Sequence, residues 1–239
     1  MRAASPRRWP LRIAGIVASL LALLVGFVAW LGYFGGPVYR VVPATAPQRP
    51  IAAVFLSGDT GLNMGMGPRV VTLLAAHGVP VVAINTLTAF ATRRTPAQTA
   101  ALVAEAARRA LALPGVARVV LIGQSAGADM LQAGVADLPA ALRPRIAQVI
   151  LTVPGDTLLF KATPGGVLDG TPDGPALPSA RRIDWVPLLC IHGATEDNSL
   201  CPLLHQRNVR TVVLPGDHYL NHDAERLERT LWAAIAPHG

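Results

Sequence analysis

Short apolar runs alternate with amphipathic stretches along most of this chain. Five runs are continuous or nearly so, as expected for strands that are buried on both faces of a parallel sheet. They lie at residues 51–56, 79–84, 119–122, 146–153 and 186–191, and a shorter run follows at 211–214. Helical patterns separate these runs, so the sequence predicts a mostly parallel, doubly wound α/β sheet.

Helix signals lie between the predicted strands. Thr95 is the expected N-cap of one helix, with Pro96 at its first position and Gln98 at its third, and this helix should continue to about residue 113. A shorter helix is predicted at residues 70–76. Near the C-terminus, apolar residues four apart predict a helix that packs one face on the sheet: Leu227, Leu231 and Ile235.

The N-terminal part of the chain predicts a membrane-spanning segment. Residues 13–34 are an almost uninterrupted apolar run of 22 residues, and the preceding flank at residues 1–12 carries four arginines. A helix of that length spans a hydrocarbon core of roughly 30 Å, and the basic flank should stay cytoplasmic. The run ends in the aromatic residues Trp30, Tyr33 and Phe34, which favours an uncleaved anchor in the inner membrane. The alternative is a cleaved signal peptide, which would leave a soluble periplasmic protein.

The remaining chain divides into a linker and one domain. Residues 35–50 are the expected linker, with an edge strand at residues 38–42, and residues 51–239 are the expected α/β domain. Residues 154–182 are rich in Gly, Pro, Asp and Thr and show no periodicity. Because a long irregular segment inside a compact domain is usually functional, we expect a cap or lid there.

The charge of the chain does not indicate nucleic-acid binding. The formal net charge is +7 and comes almost wholly from arginine, since Lys161 is the only lysine. Four of the arginines precede the apolar segment, where they set membrane topology, and the others are scattered.

The strand at residues 119–122 runs directly into Gly-Gln-Ser-Ala-Gly at 123–127, which has the form of a nucleophile elbow. In such an elbow the glycines permit a turn from strand to helix that is too tight for side chains, and Ser125 is presented at the sheet edge. The alternative is an ordinary tight turn between a strand and a helix. A serine nucleophile of this kind implies neither a metal nor a cofactor.

A serine nucleophile needs a base, and the base needs an acid to orient it. Residues 214–218 end in His218, directly after the last predicted strand, and this is the expected base. The strand before it runs into Glu196 and Asp197; Asp197 is the preferred acid and Glu196 the alternative. We expect His192, at the end of that strand, to be structural.

Backbone amides should stabilise the oxyanion. One should come from Ala126, which follows the serine, and another from Gly58 or Asp59 in the loop after the first core strand. Asp59 is unexpected beside a developing negative charge. It either positions a cationic group of the substrate or caps the following helix.

Cys190 and Cys201 are the only cysteines, and both follow the apolar segment. In an oxidising compartment they can form a disulfide across the loop that carries the two carboxylates. The alternative is a pair of buried free thiols that pack as small apolar residues.

Four segments resemble the VirJ/AcvB family of bacterial virulence proteins. They are Phe-Leu-Ser-Gly-Asp at 55–59, Gly-Gln-Ser-Ala-Gly-Ala-Asp at 123–129, Cys-Ile-His-Gly at 190–193 through to Cys201, and Leu-Pro-Gly-Asp-His at 214–218. The resemblance implies an α/β-hydrolase fold, a periplasmic location, hydrolysis of lysyl-phosphatidylglycerol and a link to type IV secretion. The chain departs from the family pattern at Gln124 and Ala126, where bulkier aromatic residues are usual, and at Leu62, where the family has tryptophan.

We therefore expect a membrane-anchored periplasmic ester hydrolase that acts on an aminoacylated membrane lipid. An accessory protein that keeps the fold and assists secretion-system proteins is the rival interpretation, although a scaffold has no need of a catalytic triad. A general carboxylesterase is the third.

Overall fold

The computed structural model describes residues 9–238, so most of the basic flank predicted at residues 1–12 lies outside the described residues. The N-terminal helix, α1, spans Trp9–Leu31. Its segment Arg12–Leu31 is long and apolar enough to cross a membrane, and it is not buried in the fold. A signal sequence meets the same description, so α1 is compatible with either a periplasmic or a secreted protein.

Within the described residues, nine strands and six α-helices follow α1, in the alternation that the apolar runs predict. The strands are β1 (Tyr39–Val42), β2 (Ile51–Leu56), β3 (Val81–Ile84), β4 (Arg118–Gln124), β5 (Ile146–Thr152), β6 (Thr157–Leu158), β7 (Gly174–Pro175), β8 (Leu188–Gly193) and β9 (Val209–Leu214). The helices that follow α1 are α2 (Gly67–Ala76), α3 (Thr86–Ala89), α4 (Pro96–Leu111), α5 (Ala126–Ala136), α6 (Leu177–Ala180) and α7 (Ala224–Ile235).

Seven strands form the central sheet in the order β1-β3-β2-β4-β5-β8-β9. The edge strand β1 is antiparallel to β3, and the other six strands are parallel to one another. The sequential order of the strands reverses between β2 and β4, which leaves a crevice at their carboxyl ends. In open α/β sheets this is where ligands bind.

Helices cover both faces of the sheet and produce two apolar cores. On one face α4 and α5 pack against each other and against β2 and β4. On the other face α2 and α7 pack together. The predicted stripe on α7 is fully buried, because Leu227, Leu231 and Ile235 are each only 1% exposed. The sheet is therefore a mostly parallel, doubly wound α/β sheet, as predicted.

The local signals for α4 are also confirmed. The Thr95 side chain accepts a hydrogen bond from the Gln98 N–H, and the Gln98 side chain accepts one from the Thr95 N–H. These two bonds satisfy amides that the first turn of a helix leaves free. The helix ends at Leu111, two residues before the predicted end.

The irregular segment at residues 154–182 contains the two-stranded sheet β6-β7 and the single turn α6. The Gly165 N–H of this segment donates to the Asp59 carbonyl at 3.2 Å. This contact places the segment beside the loop that follows β2, at the crevice described above.

Candidate active site

The sharp turn after β4 places Ser125 at the carboxyl edge of the sheet, in the crevice. Ser125 has φ 52° and ψ −130°, a conformation that is costly for a residue with a side chain. Its N–H donates to the Thr152 carbonyl at the end of β5, at 2.9 Å. The serine is thus held in a strained position by the strand beside it, as in a nucleophile elbow.

Close backbone packing explains the two glycines of the elbow. A Cβ atom on Gly127 would lie 2.1 Å from the Ser57 carbonyl oxygen, and one on Gly123 would lie 2.6 Å from the Gly127 carbonyl oxygen. Neither distance is possible for a real side chain, so the start of α5 is able to pack directly on the end of β2 only because both residues are glycine.

The side chains of Ser125, His218 and Glu196 form a continuous hydrogen-bonded chain. Ser125 Oγ lies 2.8 Å from His218 Nε2, and His218 Nδ1 lies 2.6 Å from Glu196 Oε1. Glu196 Oε2 also accepts the Gly193 N–H at 3.2 Å, and the glutamate side chain is only 5% exposed. The three groups have the geometry of a nucleophile, a base and an orienting acid.

The preference for Asp197 as the acid is not supported by this geometry. A turn after β8, in which the Glu196 N–H donates to the Gly193 carbonyl, folds the Glu196 side chain back under His218. The next residue, Asp197, therefore points outward and is exposed. Glu196, the alternative, occupies the acid's position.

The carboxylate of Glu196 raises the pKa of His218 above its ordinary value. The hydrogen bond from the imidazole to this carboxylate is the largest cause, and burial, which lowers the pKa, opposes it. The negative charge of Glu196 adds to the rise, as do Asp129 and Asp59 when they are ionised. His218 is therefore a stronger base than a free histidine, and it is held in one orientation.

The Cys190–Cys201 disulfide predicted as one of two alternatives is present. It joins the middle of β8 to Cys201, which follows the loop that carries Glu196. We call this loop, residues 194–200, the acid loop. Both cysteines are fully buried. A second constraint lies at Gly193, where a Cβ atom would lie 2.2 Å from the Asp217 carbonyl oxygen. The acid loop and the turn that carries His218 are thus packed together.

The residues expected to form the oxyanion hole lie around Ser125. A Cβ atom on Gly58 would be 3.5 Å from the Ser125 Cβ, so the loop after β2 passes next to the serine. Ala126 is the first residue of α5, where backbone N–H groups have no partner within the helix. Both backbone segments expected to form the oxyanion hole thus lie next to Ser125.

Asp59 is not a helix cap. The helix after this loop, α2, starts at Gly67, and its N-cap residue Met66 provides no side-chain hydrogen bond. The Asp59 carboxyl instead lines the cleft, and burial raises its pKa above the ordinary value. The structure therefore excludes the capping role and places Asp59 at the cleft.

A cleft of about 400 Å³ surrounds the serine and its partners. Its walls include the loop after β2, Gly165 of the irregular segment, and Tyr219 beside the histidine. Val153, which follows β5, also lines it and has a φ of 47°, a strained value for a β-branched residue. Strain of this kind concentrates at functional sites.

Asp129 was not predicted as a site residue, although it belongs to the motif at 123–129. Its carboxyl accepts the Gly155 N–H at 2.8 Å. Burial raises its pKa to about 8, and the hydrogen bond from Gly155 and then the charge of His218 oppose this rise. A carboxyl four residues after the serine, on the first turn of α5, was the available signal.

His192 is buried at the end of β8, as expected for a structural histidine. Within residues 9–238 no cluster of three or more histidine, cysteine, aspartate or glutamate side chains is arranged to hold a metal ion.

Solved structures similar to this one include several esterases. Est1E from Butyrivibrio proteoclasticus has a TM-score of 0.63 and 16% identity, with 83% of this chain and 93% of that chain covered. The esterase Pf2001 from Pyrococcus furiosus has a TM-score of 0.58 and 16% identity, covering 83% and 90%. The esterase domain of a Rhodothermus marinus protein has a TM-score of 0.55 and 20% identity, covering 82% and 91%. At these identities the similarity establishes the α/β-hydrolase fold.

Residues 50–237 match the sequence profile of a family described as bacterial virulence protein (VirJ). No curated protein sequence matches the chain significantly.

Proposed function

We propose that this chain, which belongs to the bacterial virulence protein (VirJ) family, is a serine ester hydrolase of the periplasmic side of the inner membrane. Its substrate would be an aminoacylated phosphatidylglycerol of the lysyl type. The observation that carries the proposal is the pair of hydrogen bonds that joins Ser125 to His218 and His218 to Glu196. A protein that served only as a scaffold would need neither bond.

The proposed reaction follows from this chain of hydrogen bonds. His218 Nε2 takes the proton of Ser125 Oγ as the oxygen attacks the ester carbonyl carbon. Glu196 accepts the Nδ1–H bond and stabilises the imidazolium that forms. The alcohol leaves with the proton from His218, and the acyl group stays on the serine. Water, deprotonated by His218, then releases the acid and restores the serine.

The oxyanion of each tetrahedral intermediate would lie between the loop after β2 and the start of α5. Backbone N–H groups of Ala126 and of Gly58 or Asp59 would donate to it. Each such donor is typically worth about 10²–10³-fold in rate.

Asp59 supports an aminoacyl substrate. Its carboxyl lines the cleft beside the serine, where its charge attracts a cation. Because burial disfavours its ionised form, an ammonium group in the cleft would restore the charge and bind to it. An aminoacyl ester carries an ammonium group close to its reactive carbonyl, so Asp59 is placed to select it over a neutral acyl ester.

The test uses the full-length protein in vesicles that contain lysyl-phosphatidylglycerol, with released lysine as the readout. Ser125→Ala should lower the rate by several orders of magnitude, about 10⁴–10⁶-fold, because no nucleophile remains. Hydrolysis of nitrophenyl acetate should fall in parallel. A Ser125→Ala protein that releases lysine at the wild-type rate would show that the serine mechanism is wrong.

Asp59→Asn tests recognition of the substrate separately from ester hydrolysis. It removes the charge of the side chain and keeps the backbone N–H proposed for the oxyanion hole. Its kcat/KM for lysyl-phosphatidylglycerol should fall roughly 10-fold or more, as for loss of a charged hydrogen bond, while nitrophenyl acetate hydrolysis stays near wild type. Equal losses on both esters would favour a general carboxylesterase. Absence of both activities in the wild-type protein would favour an accessory role with secretion-system proteins.

A further inference from the structure

The C-terminal end of α1 is docked on the α/β domain, although the rest of the helix is exposed. The helix ends with Gly32 at φ 97°, and two backbone bonds close its last turn: Tyr33 N–H to the Val28 carbonyl at 3.2 Å and Gly32 N–H to the Ala29 carbonyl at 2.9 Å. This is the Schellman arrangement, a specific stop signal. Leu31, directly before it, is only 2% exposed because the domain covers it.

Three side chains of the domain donate hydrogen bonds to the last carbonyl groups of this turn. Asn63 Nδ2 donates to the Trp30 carbonyl at 2.6 Å. Asn85 Nδ2 donates to the Leu31 carbonyl at 3.0 Å, and Thr88 Oγ1 donates to the Gly32 carbonyl at 2.8 Å. A helix end leaves these carbonyls without intrahelical partners. The domain thus caps α1 as a side-chain cap would, but from distant parts of the chain.

Removal of α1 would leave this surface incomplete. The amide group of Asn85, which is buried beneath the end of α1, would lose its acceptor, the Leu31 carbonyl. Leu31 would also leave the apolar core to which it belongs. These contacts favour a helix that is retained in the mature protein over one that is cleaved.

The docked end of α1 lies next to the catalytic cleft. A Cβ atom on Gly61 would be 2.7 Å from the Leu31 carbonyl oxygen, and Gly61 also lines the cleft. One residue of the loop after β2 therefore separates the end of the membrane helix from the site. If α1 crosses a bilayer, the cleft must lie close to the bilayer surface.

Exposed apolar side chains lie on the segments that line the same cleft or directly next to them. Met64 and Tyr219 line it, and Val167 and Leu168 follow Gly165, which lines it too. Val167 is 81% exposed and Leu168 is 78% exposed. We call these four residues the apolar rim. Apolar side chains that gather around one opening mark a surface that meets an apolar partner.

We infer that the domain is held in a fixed orientation on its own membrane helix, so that the apolar rim enters the bilayer interface and lipid passes directly from the bilayer into the cleft. The position of Trp30 and Phe34 at the end of α1 fits the interfacial level at which such aromatics lie. The inference rests on the proposed function only where it says that lipid enters the cleft. The orientation itself can be measured without any activity.

A single-cysteine probe tests the orientation, because both native cysteines are in the disulfide. Val167→Cys carries an environment-sensitive fluorophore in the full-length protein in lipid nanodiscs that contain nitroxide-labelled lipid. The matched control is Val213→Cys, an exposed valine on β9 at the far edge of the sheet, 55% exposed. The Val167 probe should be quenched and blue-shifted, and the Val213 probe should not. Two unquenched probes, or two equally quenched ones, would overturn the inference.

A second variant tests the docking of α1. Asn85→Asp keeps the oxygen that accepts the Thr88 N–H but loses the donor to Leu31, and Thr88→Val removes the bond to Gly32. In the double variant, quenching at Val167 should be lost and hydrolysis of lipid in bilayers should fall roughly tenfold as the local concentration effect weakens. Nitrophenyl acetate hydrolysis should be unchanged. Quenching as in wild type would refute the docking; a wild-type protein with correct quenching and no hydrolysis would refute only the proposed function.

Discussion

The two halves of the candidate triad lie at the same sheet edge but are held there in different ways. Ser125 is fixed by its immediate neighbours, because the tight turn from β4 into α5 and the glycines at 123 and 127 leave one conformation. Glu196 lies on a loop that is held from outside, by the Cys190–Cys201 disulfide and by the packing of Gly193 on Asp217. The first arrangement is local in the sequence and the second is tertiary.

This difference decides how each half responds to change. An elbow built from backbone contacts should tolerate no added atoms, because the strands around it cannot move apart. The loop that carries the acid is held by the disulfide and by its own carboxylate. Removal of the Glu196 side chain should therefore lower activity, whereas changes at the neighbouring Asp197 should be tolerated.

After loss of the serine itself, the largest effect on rate is expected at the acid. Glu196→Ala should lower kcat for ester hydrolysis by about 10²–10⁴-fold, because His218 loses the group that orients it and stabilises its charge. Asp197→Ala is the matched control and should stay within about threefold of wild type, since Asp197 is exposed. Steady-state kinetics on nitrophenyl acetate measure both. The reverse ranking would restore Asp197 as the acid.

Glu196 should also affect the pH dependence of kcat/KM, through the pKa of His218. A protonated His218 cannot take the proton of Ser125, so activity falls as the pH drops through the pKa of His218. Since Glu196 raises this pKa, the acid limb of wild-type kcat/KM should lie above the ordinary histidine value of 6.5. In Glu196→Gln the charge is lost, so the limb should move to lower pH while the maximal rate falls. An unmoved limb would mean that another group controls it.

Substitution of an elbow glycine should act mainly by lowering the free energy of unfolding. Gly127→Ala would place its Cβ 2.1 Å from the Ser57 carbonyl oxygen, so β2 and α5 would have to separate. We expect a loss of at least about 3 kcal/mol in the free energy of unfolding, the upper end of the usual overpacking cost. The matched control is Gly170→Ala, where an added Cβ meets no atom within 4 Å. Urea unfolding of both variants checks this, and equal stabilities would contradict the packing argument.

Local patterns predicted the elements that are fixed by near neighbours in the sequence. The run at residues 51–56 is β2 with the same bounds, and the capping residues Thr95 and Gln98 act as predicted. The short helix α3 was missed, because four residues are too few to show a period. The sequence did not distinguish Glu196 from Asp197 as the acid, because the distinction depends on how the turn after β8 packs against His218. The docking of Gly32 on Asn85 joins residues more than fifty positions apart, and no local pattern encodes it.

The disulfide should give a smaller effect that falls on both stability and activity. Replacing both cysteines by alanine opens a loop whose ends are 11 residues apart. This should lower the free energy of unfolding by about 2–3 kcal/mol in the chain-entropy model. The melting temperature should fall by about 2–4 °C for each kcal/mol. Because the loop carries Glu196, the rate should fall as well at temperatures where the protein is folded. Unchanged kinetics in the folded variant would show that Gly193 and Asp217 hold the acid without the cross-link.

The smallest expected effect concerns Asp129, which lies on the first turn of α5. The charges of His218 and Glu196 both influence its pKa. Its folded pKa is raised to about 8 from an ordinary 3.8. Between these values the folded protein keeps a proton that the unfolded chain has lost, so this carboxyl makes stability fall as the pH rises through that window.

Asp129→Asn removes the titration and still offers an Oδ1 atom to the Gly155 N–H. Below pH 3.8 the variant and wild type should therefore be similar in stability, and the advantage of the variant should grow as the pH rises towards 8. A gain of about 1 kcal/mol is reasonable, because water and local relaxation reduce the cost of a buried charge. Urea unfolding at pH 5, 6.5 and 8 measures the difference, with Asp197→Asn as an exposed control. If the gain does not grow with pH, Asp129 is ionised in the folded protein, and its carboxylate then adds a permanent negative charge to the field that holds His218 as a base.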